Sequence, residues 1–227
     1  MSAWFPQNIS TYGADLDRLF TVVYYIVGAW FVAAEVLLIY LVLRYRRREG
    51  RRAAYVRGES WAQLAWVLVP AVVVLGLDLA MDTMSAPVWS RIKEQRPASG
   101  LLIRGTAKQF TWAFTYSGPD AAFDTDDDRE IENELHVPVG ENILVDFRSK
   151  DVIHSFFVPT LRLKQDIVPG RITRVWFNAT TPGRYEISCA ELCGFGHYTM
   201  RGFLVVHDPA DYEKWRAETW SSGRAAR

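Results

Sequence analysis

The 227-residue chain has no excess of either charge, because 26 basic side chains balance 26 acidic ones. A neutral chain that is 49% hydrophobic is typical neither of a nucleic-acid-binding protein nor of a disordered one. Internal repeats are also absent. Cysteine is scarce, and the two that occur, Cys189 and Cys193, stand four positions apart. Any thiol chemistry is therefore confined to one short segment.

Two long apolar runs stand out in the first third of the sequence. Residues 19–43 contain Glu35 as the single carboxylate or basic residue, and residues 61–79 contain Pro70. About 20 such residues cross a bilayer as a helix, and proline is tolerated there when neighbours satisfy the freed carbonyl. The basic loop 44–60 between the runs is expected to be cytoplasmic by the positive-inside rule. We predict an extracytoplasmic tail over 1–18, a transmembrane hairpin over 19–85 and a linker over 86–100.

After residue 100 the sequence changes to short runs rich in β-branched and aromatic residues. Turn signals such as Ser117-Gly118-Pro119 and Thr181-Pro182-Gly183 separate these runs. Short strands at this spacing predict an all-β sandwich. We assign it to 101–215, with a polar tail over 216–227. The predicted strands are 101–105, 109–116, 134–139, 142–148, 173–178, 184–188 and 202–207.

The segment 186–200, EISCAELCGFGHYTM, gathers four side chains that bind soft metal ions, Cys189, Cys193, His197 and Met200. Thiolate, imidazole and thioether ligands select copper or zinc over magnesium or calcium. Gly194 and Gly196 allow the loop to wrap these side chains around one point. A single blue-copper site uses one cysteine, whereas two thiolates between two metal ions could each bridge both. The segment therefore predicts a metal site.

A second histidine completes the ligand set. His154 lies at the end of a strand-like run upstream of the loop, and a histidine on an early strand with the other ligands on a late loop is typical of a cupredoxin-like sandwich. Three alternatives remain open at this point. The cysteines could form a structural disulfide, the site could be a Cys2His2 zinc site, and Met200 taken alone could be a core residue.

The complete pattern resembles subunit II of the haem-copper cytochrome c oxidases, which carry a dinuclear CuA centre. The resemblance implies that the two cysteines bridge two copper ions, that each histidine takes one copper, and that Met200 and the Glu191 carbonyl are weak axial ligands. It also implies a magnesium or manganese ion, shared with subunit I, at the Glu191 carboxylate. The family signature, a histidine followed by C-x-E-x-C-x3-H-x2-M, is met without substitution by His154, Cys189, Glu191, Cys193, His197 and Met200.

The resemblance implies a subunit of a bacterial respiratory oxidase, with both termini on the periplasmic side. Electrons would come from cytochrome c and pass to the haem of subunit I, where oxygen is reduced to water with proton pumping. Subunit III is a further expected partner. The sequence contains no Cys-x2-Cys-His motif, so the donor is expected to be a separate protein. The rival hypotheses are a membrane-anchored copper chaperone and a quinol-oxidase-type subunit without copper; the order of ligands and their completeness argue against both.

Two positions depart from the family pattern. Phe110 stands where tryptophan is common in an aromatic run that also contains Trp112, and Gln63 stands where a glutamate near a proton channel is usual. We expect Phe110 and Trp112 to contribute to electron transfer from the donor. Glu132 and Asp151 are the acidic residues expected to dock a positively charged donor.

Overall fold

The computed structural model describes residues 5–222, except for the side chain of the last of these. The outer ends of the two predicted tails, 1–4 and 223–227, lie outside the described residues. The chain divides into a helical unit, Asp15–Arg91, and a β unit that combines Met1–Ala14 with Ile92–Arg227. The predicted fold class, a two-helix hairpin followed by an all-β cupredoxin-like sandwich, is confirmed, whereas the limits of the linker 86–100 and the domain 101–215 stay predictions.

The helical unit contains two helices, α1 at Gly13–Tyr45 and α2 at Trp61–Trp89. Within residues 5–222 both are long and apolar enough to cross a membrane. Ser60 caps α2 by accepting a hydrogen bond from the backbone N–H of Gln63, and a π-helical turn, Ser90–Glu94, follows α2. Both helices extend beyond the predicted apolar runs. The more polar residues at their ends continue the helix but do not count towards an apolar run of membrane-spanning length.

The β unit is a sandwich of two five-stranded sheets. The first sheet has the order β3-β2-β1-β5-β8 and the second the order β4-β10-β9-β6-β7. Each sheet contains one parallel pair, β1 with β5 and β10 with β4. The strands are β1 Leu101–Lys108, β2 Thr111–Tyr116, β3 Arg129–Glu132, β4 Glu134–Pro138, β5 Asn142–Ser149, β6 His154–Val158, β7 Leu163–Ile167, β8 Thr173–Asn178, β9 Gly183–Cys189 and β10 Arg201–His207.

The core lies between the sheets and is built from alternating residues. In β5, Ile143, Val145 and Phe147 are buried while their neighbours are more exposed, as the two-residue period of a strand requires. Phe147 meets Phe156 of the opposite sheet with ring centroids 4.7 Å apart. Trp112 packs edge-on against the same Phe156 at 5.8 Å. These aromatic contacts join the two sheets directly beneath the end of the sandwich that carries the predicted ligands.

The chain before α1 is part of the sandwich rather than only a tail. Ile9 and Tyr12 are buried, and Ser10 forms an antiparallel bridge with Ala179. The backbone N–H of Ile9 donates to the carbonyl of Thr160 at 3.0 Å, and the carbonyl of Ile9 accepts from Thr180 at 2.7 Å. The segment predicted as an extracytoplasmic tail over 1–18 therefore contains a β-bridge and, from Gly13, the first turns of α1.

The predicted polar tail 216–227 also begins inside an ordered element, the helix α3 at Pro209–Ser222. Trp215 stacks on His136 with ring centroids 4.5 Å apart. Trp220 donates its indole N–H to the carbonyl of Asp127 at 2.9 Å. His136 Nδ1 lies 2.8 Å from His207 Nε2. Through their ring contacts with Trp215, these two histidines hold α3 against the second sheet.

Candidate metal centre

Strand pairing brings the early histidine to the late cysteine. β6 begins at His154 and runs antiparallel to β9, which ends at Cys189, with Phe156 opposite Cys189 in the register. The prediction placed His154 at the end of a strand-like run, whereas it is the first residue of its strand. The loop between β9 and β10 then carries the other ligands and contains one short 3-10 turn, His197–Thr199.

Donor atoms of the six signature residues converge in this loop. The two cysteine Sγ atoms are 3.8 Å apart, far longer than the roughly 2.05 Å of a disulfide bond, and both thiols are free. Around Cys189 Sγ lie His154 Nδ1 at 3.9 Å and the carbonyl oxygen of Glu191 at 3.2 Å. Around Cys193 Sγ lie His197 Nδ1 at 3.5 Å and Met200 Sδ at 3.8 Å. Each sulfur thus has an imidazole and one weak donor beside it.

The centre is shielded from solvent. His154 has no exposed surface, and Cys193 and Met200 are almost completely buried. Burial, with the neighbouring Cys189, raises the pKa of the Cys193 thiol to about 11. A thiol must lose its proton to bind a metal ion, so the Cys193 thiol stays protonated at neutral pH unless a cation compensates the charge. The donor set therefore fits a soft cation and leaves no reason for a hard one at the sulfurs.

The loop closes over the centre because two glycines admit close neighbours. Gly194 has φ +131°, and a Cβ there would lie 2.7 Å from the side-chain nitrogen of Gln109. A Cβ on Gly196 would lie 2.5 Å from the Phe110 ring. The ring of Phe110 therefore packs directly on the ligand loop.

The remaining predicted docking residues differ in their accessibility. Trp112 is fully buried and packs edge-on against His154 at 6.3 Å, so it offers no surface to a docked donor, and its part in electron transfer stays a prediction. Glu132 is exposed but pairs with Lys108 at 3.1 Å. Asp151 is largely engaged by hydrogen bonds: partial burial opposes ionisation, but bonds from His154, Gln109 and Val152 together lower the pKa of its carboxyl group.

Several residues of the site were not identified from the sequence. Leu192, Phe195 and Tyr198 are exposed by 78%, 94% and 78%, and they form an apolar rim on the ligand loop. Their spacing is the feature of the sequence that could have identified them. In a loop that wraps around a metal site the ligands point inward, so the residues between the ligands point outward. Gln109 was also missed, since its amide reaches the carbonyl of Cys193 across two loops that are distant in sequence.

The fold and the donor set define a membrane-anchored cupredoxin-like protein with a cluster of cysteine and histidine ligands suited to copper. Comparison with known proteins specifies the family. The family model described as "Cytochrome C oxidase subunit II, periplasmic domain" matches residues 101–207.

Two relatives and one solved structure illustrate the similarity. The alternative cytochrome c oxidase subunit 2 of Bradyrhizobium diazoefficiens is 31% identical, over 94% of this chain and 83% of that protein. Cytochrome c oxidase subunit 2 of Thermostichus vulcanus is 30% identical, over 94% of this chain and 77% of that protein. The crystal structure of the periplasmic domain of subunit II of the Bradyrhizobium japonicum cytochrome oxidase is 29% identical with a TM-score of 0.50, covering 56% of this chain and 99% of that one.

This chain belongs to the cytochrome c oxidase subunit II family. Membership confirms the resemblance and the assignment to an oxidase complex that were made from the ligand signature. The fold also disfavours a copper chaperone, which would have a thioredoxin-like fold, because the β unit is a sandwich of two sheets.

Proposed function

We propose that this protein is the electron-accepting subunit of a haem-copper oxidase and that its ligand loop holds two copper ions. The observation that carries the proposal is the pair of buried cysteine sulfurs 3.8 Å apart, each flanked by an imidazole nitrogen and a weak donor. A metal ion bonded to both sulfurs at about 2.3 Å fits that spacing. The proposed ligands are His154, Cys189, the carbonyl of Glu191, Cys193, His197 and Met200.

When bound, a dinuclear copper centre of this type accepts and passes on one electron at a time with little change in geometry. The chain's own part is to hold its donors in place before and after the transfer. His154 begins β6 and Cys189 ends β9, so two of the six donors come from paired strands, and the other four lie in the loop that follows β9. Burial excludes water from the sulfurs, which limits the reorganisation of solvent that accompanies a change of charge.

The donor docks, in this proposal, on the apolar rim of Leu192, Phe195 and Tyr198 beside the buried ligands. Large exposed apolar side chains on a soluble surface mark contact sites, and Phe195 is the most exposed of the three. Exposed carboxylates of the β unit would supply longer-range attraction for a cationic cytochrome c, an effect that salt screens. Glu132, exposed beside Lys108, is the proposed source of this field.

The remaining partners follow from family membership and from the exposed Glu191 side chain. The electron is passed to the haem of subunit I, where oxygen is reduced to water and protons are pumped, and subunit III completes the set. The Glu191 carboxylate, exposed while its carbonyl faces Cys189, is available for a magnesium or manganese ion shared with subunit I. The basic loop between α1 and α2 faces the cytoplasm of a bacterial cell, which leaves both termini and the β unit in the periplasm.

The test is the oxidation of ferrocytochrome c by the copper-loaded full chain in detergent, followed by rapid mixing. We expect a second-order reaction that slows as salt is added. Phe195→Ser should slow it, whereas Leu102→Ser, which removes an exposed apolar side chain from β1, should leave the rate unchanged. A copper-loaded chain that leaves ferrocytochrome c reduced would contradict the proposal.

A further inference from the structure

Three loops meet at the end of the sandwich that carries the ligand cluster. Gln109 and Phe110 form the turn between β1 and β2, and Asp151 lies in the loop between β5 and β6. These two loops are neighbours because β1 and β5 pair in parallel, and the N–H of Lys150 donates to the carbonyl of Ala107 at 3.0 Å. The ligand loop comes from the opposite sheet. Contacts among the three loops therefore connect the two sheets at the end that carries the ligand cluster.

Asp151 is the centre of these contacts. Its Oδ1 accepts hydrogen bonds from the N–H of Val152 at 2.7 Å and from His154 Nε2 at 2.8 Å. Its Oδ2 accepts from the backbone N–H of Gln109 at 2.6 Å. A carboxylate oxygen accepts hydrogen bonds, so Nε2 is the ring nitrogen of His154 that donates to Asp151. Nδ1 is then the ring nitrogen left to bind a metal ion, and it lies 3.9 Å from Cys189 Sγ.

Gln109 extends the same connection to the cysteine loop. Its side-chain amide donates to the carbonyl of Cys193 at 2.6 Å. That approach needs a glycine at position 194, because a Cβ there would lie 2.7 Å from the amide nitrogen. Gln109 thus binds Asp151 through its backbone N–H and the carbonyl of Cys193 through its side-chain amide.

We infer that Asp151 and Gln109 are positioning residues for the metal centre. Asp151 fixes the tautomer and orientation of His154, and Gln109 links the cysteine loop to Asp151. The inference rests on the proposed function, since it treats His154 and Cys193 as ligands. It replaces a docking role for Asp151, because a carboxylate with three donors within 2.8 Å has little capacity left for a partner protein. Groups of this kind orient a ligand and adjust the basicity of its nitrogen.

The first arm of the test needs no metal. In the copper-free full chain in detergent, nitrogen NMR of the His154 ring should report the tautomer protonated at Nε2. Asp151→Ala should convert the ring to a mixture of tautomers or to the Nδ1-protonated form. The control is Glu132→Ala, which removes a carboxylate that does not contact His154. This variant should leave the spectrum unchanged.

The second arm measures copper affinity by competition with a chelator, together with the electron paramagnetic resonance spectrum. We expect Asp151→Ala to weaken copper binding by about 10–100-fold and to alter the hyperfine pattern. Gln109→Met, which keeps the length of the side chain but cannot donate, should release copper faster than wild type. Should Asp151→Ala fail to fold, Asp151→Asn, which keeps an acceptor for Nε2–H without the charge, should show a smaller effect of the same sign.

The outcomes separate this inference from the proposed function. A wild-type chain that binds no copper pair would overturn the proposed function and this inference with it. A wild-type chain with the copper pair, together with Asp151 and Gln109 variants that match Glu132→Ala in both tautomer and affinity, would overturn this inference alone.

Discussion

The segment before α1 is expected to be a structural part of the β-sandwich, and Ile9 is the residue that tests this. Its side chain is fully buried, and its backbone is fixed on both sides by Thr160 and Thr180. Ile9→Ala keeps both backbone hydrogen bonds and removes only buried carbon atoms. Truncations of this kind cost about 2–5 kcal/mol, depending on how far the site can collapse. The segment lies at the margin of the domain and can relax inward, so we expect about 2–3 kcal/mol.

The assay is thermal unfolding of the copper-free full chain in detergent, followed by the near-ultraviolet circular dichroism of the buried aromatic residues. For a domain of this size the loss corresponds to a fall in the midpoint of about 5–12 °C. Gln7→Ala, which alters an exposed neighbour, is the matched control and should unfold with the wild type. If Ile9→Ala and Gln7→Ala have the same midpoint, the segment does not belong to the cooperative unit.

Three further changes should have defined effects on the copper-free chain. Burial, with the neighbouring His207, lowers the pKa of His136 from its usual 6.5, so the folded chain binds this proton more weakly than the unfolded chain. The unfolding free energy is therefore at its full value above pH 6.5 and falls as the pH decreases, by at most about 1.4 kcal/mol per pH unit. Tyr116→Phe should cost about 1–3 kcal/mol, because the buried hydroxyl bonds both the N–H and the carbonyl of His136. Gly196→Ala should displace the Phe110 ring, since the added Cβ would lie 2.5 Å from it; the expected cost is about 1–3 kcal/mol.

Each of these has a control within the chain. His136→Gln should flatten the slope of unfolding free energy against pH, and an unchanged slope would refute the assignment. Tyr185→Phe removes a hydroxyl that bonds only carbonyls near the surface and should cost less than Tyr116→Phe; equal costs would count against the argument. Phe110→Ala should restore the stability of Gly196→Ala, because the backbone at position 196, with φ −87°, tolerates alanine. A double variant no more stable than Gly196→Ala would show that the clash lies elsewhere.

The ligand loop could be predicted because its chemistry is local in sequence. Cys189, Cys193, His197 and Met200 lie within twelve residues, and few structures other than a metal site explain all four. The two long apolar helices were predictable for the same reason, since each contains one continuous apolar run. The seven predicted strands also correspond to strands of the sandwich, with ends that differ by a few residues.

What could not be predicted depends on contacts between distant segments. Strands β3 and β7, REIE and LKQDI, carry too many charges to show an apolar alternation, and their place in the sheets comes from pairing with β2 and β6. The docking of Ile9 and the ordering of α3 by Trp215 depend on surfaces that exist only after the sandwich forms. The hydrogen bonds of Asp151 could not be predicted, because the sequence does not show that His154 and Gln109 are both beside it.

The copper content of the full chain in detergent, together with its electron paramagnetic resonance spectrum, decides whether the ligand loop holds a dinuclear copper site. We expect two copper ions per chain and a hyperfine pattern from one electron shared over both nuclei, and Cys189→Ser or Cys193→Ser should abolish that pattern. One copper with an ordinary localised spectrum, zinc in place of copper, or no metal at all would contradict the assignment of this loop as a dinuclear copper site.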